Sequence, residues 1–102
     1  MSNLVIDRET LRARGVQVTD DAVVVDLVDG RTISTPLAWY PRLLHGSTAE
    51  RAKFELIGNG EGIHWPDLDE DLSIEGMLAG QPSREKRESI ERWLASRKKA
   101  KI

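Results

Sequence analysis

The chain has 102 residues, 39% of them hydrophobic and 31% charged, with a net charge of −2. That length supports one domain with one modest core, and no apolar run reaches the ~18 residues a membrane span requires. The absence of cysteine excludes a disulfide framework, a thiol nucleophile and a thiolate metal site.

The N-terminal MSNLVIDRET carries acids early and lacks a long apolar stretch, so no signal peptide is expected and a cytoplasmic location is the default. Residues 7–12 are expected to form a short helical turn or to fray. Val16 and Val18 alternate with polar neighbours, and Asp20-Asp21 forms a turn. The β-branched run of residues 22–28 then reads as a central strand. Asp29-Gly30 is the strongest short hairpin signal in the chain, read as a type I′ turn with positive φ at both positions. Residues 31–35 return, completing a three-stranded meander.

Pro36 stops that strand and opens a helical stretch, with Thr35 as its expected N-cap. Leu37, Tyr40, Leu43 and Leu44 fall on one helical face, and Pro41 limits the helix to a short or broken one ending near Gly46. Ser47 with Glu50 three residues on forms a capping box for another short turn over 48–53. Residues 54–57 read as a fourth strand, the glycine-rich residues 58–62 as a loop, and Ile63-His64-Trp65 as a fifth strand closed by Pro66. Ser73 caps a helix whose inner face is Ile74, Met77 and Leu78 and whose stop is Gly80. Pro82-Ser83 opens a last helix over 84–98, where Ile90, Trp93 and Leu94 make a narrow apolar stripe flanked by charge.

The fold class expected is α+β: a small, mostly antiparallel sheet, comprising the meander and two further strands, with short helices and a C-terminal helix. Residues 1–82 form the single domain, and residues 83–102 an amphipathic helix with a basic tail. Charge follows the same division. Residues 1–83 hold 7 Lys/Arg and 14 Asp/Glu, a net of −7, whereas residues 84–102 hold 8 and 3, a net of +5.

No spacing supports chemistry. Gly58, Gly60 and Gly62 lack the fingerprint of a dinucleotide loop and precede a strand rather than a helix. Asp67, Asp69 and Asp71 open like a calcium loop, but Leu72 stands where its glycine belongs and Leu78 where its bidentate glutamate belongs. Those carboxylates are expected near the N-terminus of the Ser73 helix or facing a basic partner. His45 and His64 have no partner at metal-ligand spacing, and His64 reads as a hydrogen-bonded structural histidine. No serine lies in a nucleophile-elbow context. No enzyme, cofactor or metal is expected.

Trp39 and Trp65 fall on core-facing elements. Trp93, on the last helix, is the best interface anchor. The basic residues Arg97, Lys98 and Lys99 could attract phosphates, but no interleaved aromatics accompany them, so nucleic-acid binding is possible and not favoured.

The run His64-Trp65-Pro66-Asp67-Leu68-Asp69-Glu70-Asp71-Leu72, within residues 62–80, resembles the bacterial family catalogued as domain of unknown function 2442. Val23-Val24-Val25-Asp26-Leu27 with Asp29-Gly30-Arg31, and Trp39-Tyr40-Pro41-Arg42-Leu43, fit the same pattern, so the likeness covers about residues 16–80. The resemblance implies a small α+β domain, often encoded beside a companion toxin-like protein and suggested to act as an antitoxin. Some members add a C-terminal DNA-binding helix-turn-helix, for which the one helix after Gly80 is too little. No catalytic or binding residues come with the family.

The leading expectation is a non-enzymatic, protein-binding domain of the antitoxin type. Its acidic surface (Asp67, Asp69, Asp71) would meet a basic partner, and Ile90 and Trp93 would make a second contact. The alternatives are a nucleic-acid-binding regulator using Arg97, Lys98 and Lys99, and a homo-oligomeric module built on the last helix.

Overall fold

The computed structural model describes residues 8–100, with side chains over 9–98. Part of the residue 7–12 turn and the end of the basic tail lie outside this range. Within it, residues 8–10 form one 3-10 turn.

Strands β1 (Ala13–Val18), β2 (Ala22–Leu27) and β3 (Thr32–Pro36) make the expected antiparallel meander in the order β1-β2-β3. Val25 pairs with Val16 and Ile33, and Val23 with Val18 and Thr35, so these side chains share one face. That face turns inward: Val23, Val25 and Leu27 are fully buried, each contributing ~1.5–3 kcal/mol. The β2–β3 turn differs from the expected type I′. Of its residues only Gly30 has positive φ, at 95°. The Leu27 carbonyl accepts from the Gly30 amide, and the Leu27 amide donates to the Arg31 carbonyl. This is a three-residue loop closed by a glycine bulge, and the Asp29 carboxylate secures it by accepting from Arg31 N and Nε at 3.0 and 2.7 Å.

Strand β3 runs through Pro36, and Thr35 caps nothing. Its buried hydroxyl instead accepts from Tyr40 Oη at 3.1 Å. A 3-10 turn over Leu37–Trp39 is followed by α1 (Pro41–Leu44), a break at Pro41 as its missing N–H requires. Leu37, Tyr40 and Leu43 are buried, but Leu44 is 41% exposed and leaves the expected face. The short helix α2 (Thr48–Ala52) begins on the full Ser47/Glu50 capping box.

The second half of the domain holds one strand more than expected. Strands β4 (Glu55–Ile57), β5 (Gly62–Trp65) and β6 (Glu70–Ser73) form a second antiparallel sheet in the order β4-β5-β6. Residues 70–73 have little intrinsic strand preference. Pairing with β5 holds them extended, with Trp65 opposite Glu70 and Ile63 opposite Leu72. Gly60 closes the β4–β5 turn at φ 93°, where an added Cβ would lie 2.8 Å from the Ala13 carbonyl oxygen, so only glycine lets this turn rest on β1.

Helix α3 (Ile74–Leu78) starts at Ser73, whose hydroxyl accepts from the Gly76 amide. It ends with the Gly80 amide on Met77 and the Gln81 amide on Gly76. Ile74 and Met77 are buried, whereas Leu78 is 41% exposed and is not part of the inner face. Helix α4 (Arg87–Ala100) closes the chain. One core joins both sheets and α1 and α3, with Trp65, Tyr40, Leu27, Leu43, Leu68 and Ile63 among its largest fully buried side chains. The fold is therefore α+β.

Candidate protein-binding surface

Between Lys53 and Arg84 the chain carries seven carboxylates and no lysine or arginine. This interval is the second sheet and α3. Glu55, Glu61, Asp67, Asp69, Asp71 and Glu75 are exposed, and Glu70 is half-buried.

The register explains how they are displayed. Leu56, Ile63 and Leu72 are cross-strand neighbours on the face that carries buried Ile63 and Trp65. One residue along, Glu55, His64 and Asp71 form a row on the opposite, solvent-facing side. His64 Nδ1 pairs with Asp71 Oδ1. That hydrogen bond raises the imidazole pKa above its ordinary value, helped by the charges of Asp71, Glu55 and Asp69. Asp67 lies 3.6 Å from Lys53 Nζ. Asp69 occupies the left-handed region at φ 49° in the β5–β6 turn. Of the three aspartates expected near the start of the Ser73 helix or facing a basic partner, Asp71 lies in β6 two residues before the Ser73 cap, while Asp67 and Asp69 precede that strand. Glu75 is the acidic residue in the first turn of α3.

Helix α4 is fastened to this body by a chain of charged and aromatic contacts. Arg42 donates through Nε and Nη2 to both carboxylate oxygens of Glu85, at 2.8 and 2.7 Å. Its Nη1 reaches the Leu68 carbonyl at 3.2 Å, tying in the β5–β6 turn. The Arg42 and Arg97 guanidiniums both lie over the Trp93 ring, 4.9 and 4.7 Å from its centroid. Arg97 forks onto Glu50 at 2.7 and 3.0 Å, and the same Glu50 carboxylate accepts from the Ser47 amide of the capping box. The guanidiniums hold the carboxyls of Glu85 and Glu50 down to about 2.

Beside this mooring, a cleft of about 250 Å³ lies between β6, α3 and residues 81–84, with Tyr40 and Glu70 in its lining. Burial pushes the Glu70 carboxyl up. Its Oε1 accepts from the Asp71 amide, while Oε2 is buried with no hydrogen-bond partner among the described residues.

The structure thus separates the singled-out residues into two groups. Asp67, Asp69 and Asp71 surround the β5–β6 turn. Ile90, Trp93, Arg97 and Lys98 lie on α4, with Lys98 exposed, Ile90 half-buried, and the Lys99 side chain outside the described residues. Trp93 is half-buried against the core and Arg97 is committed to Glu50. Arg42 links the groups, since it holds the turn carbonyl of Leu68 and covers Trp93. Sequence reading gave Arg42, Glu50 and Glu85 no part in an ion pair. Their one available signal was the capping-box position of Glu50, which said nothing of a second partner 47 residues away. Among the described residues no three His, Asp or Glu side chains gather as a metal ion needs, and no helix is long and apolar enough to cross a membrane.

Two solved structures share the fold. A crystal structure of a protein of unknown function from Rhodospirillum rubrum is 33% identical, with a TM-score of 0.64 over 72% of this chain and 92% of the other. The solution structure of an uncharacterized protein from Chromobacterium violaceum is 23% identical, with a TM-score of 0.65 over 88% of this chain and 79% of the other. No curated protein matches. The pattern of one family, described as "Protein of unknown function (DUF2442)", matches residues 13–83, which spans both sheets and α3 and stops before α4. The chain belongs to that family.

Proposed function

We propose that the chain is a non-enzymatic protein-binding domain of the antitoxin type, which neutralises a basic, toxin-like partner by covering it with the acidic second sheet and α3. One observation carries this reading: thirty residues, 54–83, present six exposed carboxylates with no lysine or arginine among them. Such a field draws a cationic partner in and rejects acidic ones. Exposed Leu56 and Ile57 beside it supply apolar area that desolvates on contact.

The phosphate-binding alternative loses force because Arg97 already gives its planar fork to Glu50. Co-expression with the product of the adjacent gene is the test. A complex should persist at micromolar concentration and weaken steeply with salt, and a triple variant D67K/D69K/D71K should weaken it about a hundredfold or more. Failure to recover any complex at micromolar concentration sinks the reading.

A further inference from the structure

Strand β4 is hydrogen-bonded on one side only. It pairs with β5, and no other described residue bonds its backbone on the far side. All three of its residues are exposed, and Leu56 and Ile57 are 41% and 42% exposed. Natural sheets guard such edges with lysine, proline, a bulge or a covering element. Strand β4 is itself short, at three residues, but no lysine, proline or bulge lies within 55–57, and their only charge is the single carboxylate of Glu55.

Resting on the acidic-surface reading above, we propose that β4 is a docking edge. A cationic partner adds an antiparallel strand there, alternating basic and apolar side chains. The register dictates the alternation. The position opposite Glu55 falls in the solvent-side row Glu55, His64, Asp71, so a lysine or arginine there extends the row with the opposite charge. The position opposite Leu56 falls in the row Leu56, Ile63, Leu72, so an apolar side chain there lengthens the core-side row. Main-chain hydrogen bonds supply affinity, and the two rows supply the choice of sequence. A second copy of this chain is a poor occupant. Pairing β4 with β4 would bring two carboxylate-rich sheets side by side, whose like charges repel across the new seam.

The test uses the full chain and three short synthetic peptides: one alternating lysine and valine, one with the same residues in scrambled order, and the alternating one N-methylated along its backbone. The alternating peptide should shift the amide resonances of residues 55–57 in a saturable manner and slow their hydrogen exchange by about tenfold or more. The N-methylated peptide should lose at least about tenfold in affinity, since it keeps the charge and lacks the donors. Glu55→Lys should weaken the alternating peptide by about fivefold, and Leu56→Lys should do so too. Equal binding of all three peptides overturns the docking edge and leaves the acidic-surface reading standing. No binding by any of them overturns the docking edge, and the acidic-surface reading is then decided by the co-expression test above. Sedimentation showing a dimer abolished by Leu56→Lys would assign the edge to a second copy and also overturn the proposal.

Discussion

The Arg42 guanidinium lies over the ring of Trp93, 4.9 Å from its centroid, while gripping both oxygens of Glu85. Two residues on α4 and the segment before it thereby depend on one side chain from α1. Arg42 and Glu85 are 15% and 18% exposed, so solvent screens this pair less than an open surface pair.

Removing the ring should therefore release the helix. Trp93→Ala is expected to cost about 2 kcal/mol through lost packing and two lost cation–π contacts. Arg42→Lys should cost about 1 kcal/mol, because an ammonium cannot reproduce the fork onto Glu85. Urea unfolding gives the stability, and hydrogen exchange along α4 gives the location of the effect. Unchanged exchange in α4 for Trp93→Ala would show that this ring does not moor the helix.

Acid should loosen the same mooring. The carboxyls of Glu50 and Glu85 are held at about 2 in the folded chain, below the ordinary 4.5. A depressed carboxyl pKa contributes stability that is complete above 4.5 and is lost as pH falls toward about 2. Protection of the α4 amides, relative to the intrinsic exchange rate at each pH, should fall across that window, with Trp93 fluorescence changing in step. The double variant E50Q/E85Q should already show loose α4 at neutral pH and respond little to further acid.

His64 carries the opposite sign. Its pKa is raised, chiefly by the hydrogen bond to Asp71, so the pair's stabilisation is full below the ordinary value of 6.5 and fades as pH rises through the raised one. Asp71→Asn should lower the His64 pKa in an NMR titration, and Glu55→Gln should lower it by less. If Asp71→Asn left the titration of His64 unmoved, the pairing across β5 and β6 would be refuted.

Two glycines separate steric crowding from backbone strain. Gly30 and Gly60 have nearly the same φ, 95° and 93°. A Cβ on Gly30 meets nothing within 4 Å, whereas one on Gly60 would lie 2.8 Å from the Ala13 carbonyl oxygen. Gly30→Ala should cost about 1 kcal/mol from strain alone, and Gly60→Ala about 2 kcal/mol or more. Equal losses in thermal unfolding would deny that the β4–β5 turn presses on β1.

Where the local chemistry was decisive, the sequence was readable. The valine-rich β2, the break at Pro41, the Ser47/Glu50 box and the Ser73 to Gly80 helix are all set by side chains acting on their own backbone. Strand β6 was not readable, because residues 70–73 become extended only through hydrogen bonds to β5. Thr35 likewise seemed a cap until Tyr40 claimed its hydroxyl from inside the core. The type I′ assignment failed because Asp-Gly also suits a looser loop in which only the glycine needs positive φ.

The sequence by itself determined the fold class, the family and the charge contrast between the body and the last helix, since these depend on residue type, order and short-range spacing. The tertiary structure alone decided which charges are paired and which stay open to solvent. Ion pairs form between residues that folding brings together, so Arg97 and Glu50, 47 positions apart, neutralise one another. Asp69 and Glu55 stay open to solvent on the acidic sheet and its turn. The free edge of β4 was decided in the same way, because a strand becomes an edge only when the sheet assembles without a neighbour on that side.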